Sequence, residues 1–203
     1  MREIPKRKPS TGHSVRWLRI LIAVTIAMLL LAAYLTQKAN LNEYYLYLTE
    51  ERKDASFAFS ELSEEWTEQY ITDRFAGYPM SCHPYRNGAR ACGVDVKSHN
   101  SVPAMFISFF LYSDRLQEVA INVPLWSHGE AEKSMQRILG KPTSAQLLPR
   151  SGVRLIGWKQ FDGSGVFLNR DPNFLPPFRN SIYWRSPSSC ANNACFTEVR
   201  PKK

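Results

Sequence analysis

The sequence predicts an α+β fold: one N-terminal transmembrane helix, then a small disulfide-bearing domain with a mainly antiparallel sheet covered by two helices. Three observations predict it. An uncharged apolar run extends from Ile20 to Leu35, four cysteines all follow that run, and short strand-like runs are joined by turn residues, with the helices grouped rather than alternating with them.

The apolar run reads ILIAVTIAMLLLAAYL, without a charge or a helix breaker. At about 1.5 Å per residue it gives about 24 Å of helix. Adding Trp17 to Arg19 brings it near the ~30 Å of bilayer hydrocarbon, because Arg19 can snorkel and Trp17 and Tyr34 suit the interface. Arg2, Lys6, Arg7, Lys8, Arg16 and Arg19 lie before or within its start against only Glu3, and only Lys38 follows closely. The positive-inside rule then puts residues 1–19 in the cytoplasm. A cleaved signal peptide has a shorter apolar core and needs two small residues separated by one. From Leu30 to Asn42 no such pair exists: Ala32 is matched by Tyr34, Ala33 by Leu35 and Ala39 by Gln37. The run has no polar face, which argues against a buried core helix. An uncleaved signal anchor is therefore expected. Ala23 and Ala27 form a small-xxx-small pair, but alanine is common in any membrane helix, so homo-oligomerisation gains no support from it.

The expected organisation is a cytoplasmic basic tail (1–19), a transmembrane signal anchor (20–35), a membrane-proximal helix or stalk (36–53) and an extracytoplasmic α+β domain (54–203). The net charge of +8 over 203 residues is uneven: basic before the anchor, acidic from Glu43 to Asp73, and basic again from Arg137. Three charge regimes imply three environments or surfaces.

Cys82, Cys92, Cys190 and Cys195 all lie beyond the anchor, where an even number of cysteines reads as disulfides. Three connectivities are formally possible, and local geometry favours one. Tyr85-Arg86-Asn87-Gly88-Ala89 has the form of a hairpin turn with Gly88 in the left-handed position. With Arg86 to Gly88 as the loop, Tyr85 faces Ala89, and counting outward sets Cys82 opposite Cys92 within disulfide reach. Cys190 and Cys195 then pair by default. Intervening stretches of nine and four residues do not fit a zinc ribbon, no C-x-x-C is present, and adjacent His83 and Cys82 on a strand point to opposite faces.

Asp54 reads as the N-cap of a helix through about Arg74, with Phe59, Leu62, Trp66 and Tyr70 on its apolar face and the glutamates largely opposite. Strands follow over Ala91 to Lys97, Ala104 to Tyr112 and Leu116 to Val123. Ser127-His128-Gly129-Glu130 reads as a capping box opening a second helix. Its apolar residues are Ala131, Met135, Ile138 and Leu139, and Gly140 and Pro142 end it. Further strands are expected over Val153 to Phe161, Val166 to Arg170, Ser181 to Arg185 and, at an edge, Cys195 to Val199. No internal repeat is legible.

No catalytic residue, cofactor or metal ligand is expected. Ser164 lies in Gly163-Ser164-Gly165, a turn rather than a G-x-S-x-G elbow, and H-E-x-x-H and a glycine-rich phosphate loop are absent. Carboxylates for glycoside cleavage would have to be drawn from Asp95, Asp114, Glu118, Asp162 and Asp171, and nothing selects a pair. Two surface features remain. Basic residues from Arg137 onward are interleaved with Trp158, Phe161, Phe167, Tyr183 and Trp184, which are either stacking surfaces or core. The stiff loop Asp171 to Phe178 carries Phe174, Leu175 and Phe178, flanked by Arg170 and Arg179. These five residues are the candidate partner-binding set, unless the apolar ones fold back onto the core.

The leading expectation is a non-enzymatic periplasmic interaction protein at a bacterial inner membrane. It would be an accessory subunit of an envelope assembly or an immunity-type inhibitor, with a protein partner and no nucleic acid. The alternatives are an envelope-polymer hydrolase with a non-obvious carboxylate site and a module binding an anionic ligand.

Overall fold

A computed structural model describes residues 12–147, 153–174, 179–191 and 195–198. The chain forms two compact units, Met1–Glu43 and Tyr44–Lys203. Helix α1 (Gly12–Thr49) supplies the described part of the first unit and its last turn and a half enters the second. It is long and apolar enough to cross a membrane, and its large apolar side chains from Trp17 to Leu35 are all exposed. Thr25 and Thr36 donate their hydroxyls to Leu21 O and Ala32 O within the helix, so neither presents an unsatisfied polar group.

The second unit is built on a nine-stranded sheet in which every pairing is antiparallel. Its strands are β2 (Met80–Pro84), β3 (Arg90–Asp95), β6 (Phe106–Tyr112), β7 (Arg115–Pro124), β8 (Ser144–Leu147), β9 (Arg154–Lys159), β10 (Gly165–Asn169), β11 (Arg179–Arg185) and β12 (Thr197–Glu198). The spatial order is β12-β8-β9-β10-β11-β7-β6-β3-β2. A three-stranded minor sheet holds β1 (Asp54–Ala55), β4 (Ser98–His99) and β5 (Val102–Pro103). Two helices, α2 (Glu68–Arg74) and α3 (His128–Leu139), complete the α+β fold.

This order contains a repeat that the sequence does not display. Helix α2 precedes the meander β2-β3-β6-β7, and α3 precedes the meander β8-β9-β10-β11. The last strands of the two meanders, β7 and β11, pair antiparallel along their length, Arg179 against Pro124 through Arg185 against Glu118. The two helix-plus-four-strand halves therefore meet about an approximate two-fold axis at the centre of the sheet.

One face of the sheet is closed. Val94, Ile107, Phe109, Val119, Ile121, Ile182, Trp184, Val166 and Trp158 point to it and pack with Ile71 of α2, Ala131 and Met135 of α3, and Phe57, Phe59, Leu62 and Trp66. On the opposite face a small cluster of Leu155, Phe167, Cys190 and Cys195 is joined by Tyr183 and Phe196. The Phe167 ring lies between two glycines. A Cβ at Gly157 or Gly165 would fall 2.7 or 2.6 Å from its ring carbons, so only glycine fits there. Over β6, β7 and β11 no helix covers this outer face among the described residues, and Phe106, Ser108, Phe110 and Tyr183 stay partly exposed.

Both predicted disulfides are present. Cys82 and Cys92 are direct partners in the β2–β3 register with Cα atoms 4.0 Å apart. The turn between them puts Asn87 and Gly88 at φ 57° and 76°, and Tyr85 N–H donates to Ala89 O at 2.7 Å. Cys190 and Cys195 are joined with Cα atoms 4.8 Å apart.

The structure corrects two helix expectations. The helix from Asp54 to Arg74 is reduced to Glu68–Arg74, with the Thr67 hydroxyl as its cap, accepting from Tyr70 N–H at 3.2 Å. Asp54 and Ala55 instead pair with Ser98 and His99, and Asp54 Oδ1 accepts from the Ser98 hydroxyl at 2.6 Å. Phe57, Phe59, Leu62 and Trp66 are all buried, a spacing that one helical face cannot deliver, so irregular backbone with a 3-10 turn at Phe59–Glu61 is adopted. Burial here outweighs helix propensity, which contributes only tenths of a kcal/mol per residue. The second correction is at α3. Ser127 ends a 3-10 turn, with φ −96° and ψ 5°, outside the extended region that aims a capping hydroxyl at the first turn. Its side chain makes no cap bond, so no capping box forms. The buried stripe is also rotated: Ala131 and Met135 are joined by His128 and Ser134, while Ile138 is 52% exposed.

Candidate functional site

The five candidate partner-binding residues have different surroundings. Arg170 is exposed just after β10 and donates from Nε to Asp171 Oδ2 at 3.1 Å, which neutralises it locally. Phe174 is 69% exposed. It follows Asn173, whose N–H donates to Asn180 Oδ1 at 2.9 Å and so ties the loop to β11. Arg179 opens β11 half-buried, its guanidinium 4.9 Å from the Phe106 ring centroid. Leu175 and Phe178 lie outside the described residues. Of the aromatics interleaved with the basic stretch, Trp158, Phe167 and Trp184 are core, and Phe161 alone is fully exposed, at the β9–β10 turn.

At the other end of β11 the register assembles a second group. Phe110 of β6 is opposite Glu118 of β7, and Glu118 is opposite Arg185 of β11. All three sit on the outer face, in a row continued on either side by Ala91 and Gly165, whose small size keeps the floor low. Tyr85 packs against Phe110 with ring centroids 5.2 Å apart. With Tyr112, Gln117 and Ser189 these side chains enclose a depression of about 350 Å³, within the size range of small-molecule sites.

The polar groups of the depression are held in place. Arg185 donates from Nε to Glu118 Oε2 at 3.0 Å and lies 5.7 Å from the Phe167 ring centroid. Among the described residues its two terminal nitrogens have no acceptor. Gln117 Oε1 accepts from the hydroxyls of Ser186, Ser188 and Ser189 at 3.0, 3.0 and 2.8 Å, which leaves the amide N–H groups of Gln117 without an acceptor among the described residues. The serine loop is itself pinned by Glu64, whose Oε1 accepts from Ser188 N–H at 2.6 Å. Burial opposes ionisation of Glu64, but the Ser188 hydrogen bonds and nearby Arg115 hold its carboxyl below the usual carboxylate range.

In a second depression, lined by Asp54, Ser56, Lys97, Ser98 and Asn100 among others, four of these polar side chains are committed to one another. The Ser98 hydroxyl bonds Asp54, and the Ser56 hydroxyl donates to Asn100 Oδ1 at 2.9 Å. Glu68 approaches Cys82 and Cys92, but the cysteines are a disulfide and Glu68 is paired with Arg90, so no thiolate set for a metal exists there. No family model matches the chain, and neither a curated protein nor a solved structure matches it.

The depression was not legible in the sequence. Its one signal lies in Phe106 to Tyr112, where Phe106, Phe110 and Tyr112 occupy the less buried positions of the strand. Aromatic residues on both alternations of a strand indicate that its solvent side also carries ring surface.

Proposed function

We propose that this chain is a non-enzymatic interaction protein held at a bacterial inner membrane, with residues 1–19 in the cytoplasm and the disulfide-bearing domain presented to a protein partner in the periplasm. It serves as an accessory subunit of an envelope assembly or as an immunity-type inhibitor. The observation that carries the reading is Phe174: a phenylalanine 69% exposed, next to Asn173, whose N–H tethers the loop to the Asn180 side chain of β11. An exposed aromatic on a restrained loop loses little entropy on docking, which suits it to anchor a partner. The single apolar helix and the two disulfides support anchoring and an oxidising compartment.

The hydrolase alternative gains less support. Glycoside cleavage needs two carboxylates flanking the bond, whereas Glu118 is the one carboxylate lining the outer-face depression among the described residues, and it is paired with Arg185. The test is crosslinking of the full-length protein in cells, with mass spectrometry of the captured species. One dominant periplasmic protein, captured by the wild type and lost on Phe174→Ala, is the expected result. Equal capture by wild type and variant would overturn the role of this loop, and capture of no protein would overturn the reading.

A further inference from the structure

We infer that the depression bounded by Tyr85, Phe110, Tyr112, Gln117, Glu118 and Arg185 is a binding site for a neutral saccharide. This goes beyond the protein-partner reading and uses the other end of β11. Arg179 and Arg185 are about 20 Å apart at ~3.4 Å per residue.

The argument starts from charge. Glu118 and Arg185 form an ion pair at 3.0 Å inside the depression. An anion reaching Arg185 meets the Glu118 carboxylate, and a cation reaching Glu118 meets the guanidinium. The favoured ligand is therefore uncharged, and it must both donate and accept hydrogen bonds. Ionised Glu118 accepts only, while Arg185 and the Gln117 amide offer donors with no acceptor among the described residues. Hydroxyl groups on adjacent ring carbons match that alternation, since each is donor and acceptor at once.

The rest of the lining is aromatic. Tyr85 and Tyr112 are 44% and 43% exposed, and Phe110, packed against Tyr85, is opposite Glu118 of the ion pair. Ring faces of this kind, held beside fixed polar groups, suit the C–H faces of a pyranose, which is apolar above and below and polar around its rim. The polar groups are preorganised. Three serine hydroxyls hold Gln117, and Phe167 and Glu118 hold Arg185, so little ordering is left to be done when a ligand arrives.

A peptide fits less well. Strands β6, β7 and β11, which carry the site, are interior, with their backbone groups taken by neighbouring strands, so an extended peptide cannot add to them. The site binds rather than cleaves, because among the described residues it offers no second carboxylate.

The test is calorimetric titration of the full chain, kept in a zwitterionic detergent that has no sugar headgroup. The probes are tetrasaccharides of β-1,4-linked N-acetylglucosamine, β-1,4-linked glucose and α-1,4-linked glucose, a proline-rich decapeptide and inorganic phosphate. At least one tetrasaccharide is expected to bind with Kd below about 1 mM, and to weaken at least about tenfold on Tyr112→Ala or, should that variant misfold, on Tyr85→Ala. Phe161→Ala, at the β9–β10 turn, is the control and leaves binding unchanged. Failure of all three tetrasaccharides, binding of only the peptide or phosphate, or saccharide binding insensitive to both tyrosine changes would overturn the inference. None of these results bears on capture of a protein through Phe174, so the two readings fail separately.

Discussion

His99 gives the most quantitative prediction. Its side chain is 1% exposed, with ring centroids 4.4 Å from Phe57 and 5.8 Å from Phe59, and Nε2 lies 3.2 Å from Phe57 O. A carbonyl only accepts, so Nε2 carries the proton of the neutral imidazole. Burial pushes the pKa down from 6.5 to about 4, against the weaker upward pull of the Phe57 carbonyl. The folded state thus binds fewer protons than the unfolded chain between those two values. Stability from this residue is complete above about pH 6.5 and is lost progressively as pH falls toward about 4. At about 1.4 kcal/mol per pH unit, that interval amounts to about 3 kcal/mol. The perturbation is His99→Gln, which keeps an N–H donor and removes the titration. The assay is urea unfolding of the full chain in detergent at pH 7 and pH 4, followed by fluorescence of the buried Trp158 and Trp184. Wild type is expected to lose about 3 kcal/mol more than the variant between these pH values. Asp95, raised by burial, and Glu64 and Glu68, lowered by their partners, titrate in both proteins and cancel in the difference. Identical acid dependence in the two proteins would refute the reasoning.

Three further outcomes follow from packing and cross-linking. Phe109→Ala removes a fully buried ring from the centre of the closed face and should cost about 3–5 kcal/mol in the same urea assay at pH 7. Gly157→Ala places a Cβ 2.5 Å from the Ser144 hydroxyl and 2.7 Å from the Phe167 ring, and should destabilise by about 1–3 kcal/mol, whereas Gly129→Ala, with open space around its Cβ, should not destabilise. Replacing both Cys82 and Cys92 by alanine releases a short closed loop and should cost about 2–3 kcal/mol, while leaving Cys190–Cys195 intact by mass spectrometry of the alkylated protein.

Features set by near neighbours in sequence were legible. The apolarity of Ile20 to Leu35 is a property of consecutive residues, and it appears as an exposed helical surface. The Cys82–Cys92 pair depends on one turn and on strand register counted outward from it. The helix read from Asp54 failed because the winning interactions are distant. The partner of Asp54 is Ser98, and Phe57 and Phe59 are drawn down onto His99. The capping box at Ser127 failed for a local reason that no residue pattern carries, the backbone angles left by the preceding 3-10 turn.

The outer-face depression belongs wholly to the second kind. Glu118 and Arg185 are 67 positions apart, Gln117 and Ser186 are 69 apart, and each is an ordinary strand or loop residue in its own segment. They meet because β7 and β11, the last strands of two meanders, pair with each other. By itself the sequence determined the long apolar helix, the disulfide pairing and the α+β class, since these depend on hydrophobicity, turn chemistry and spacing over about ten to twenty residues. The tertiary structure alone decided the two-fold arrangement, the burial of His99 and the company that Arg185 keeps, because strand partners far apart in sequence are selected by burial of the whole closed face.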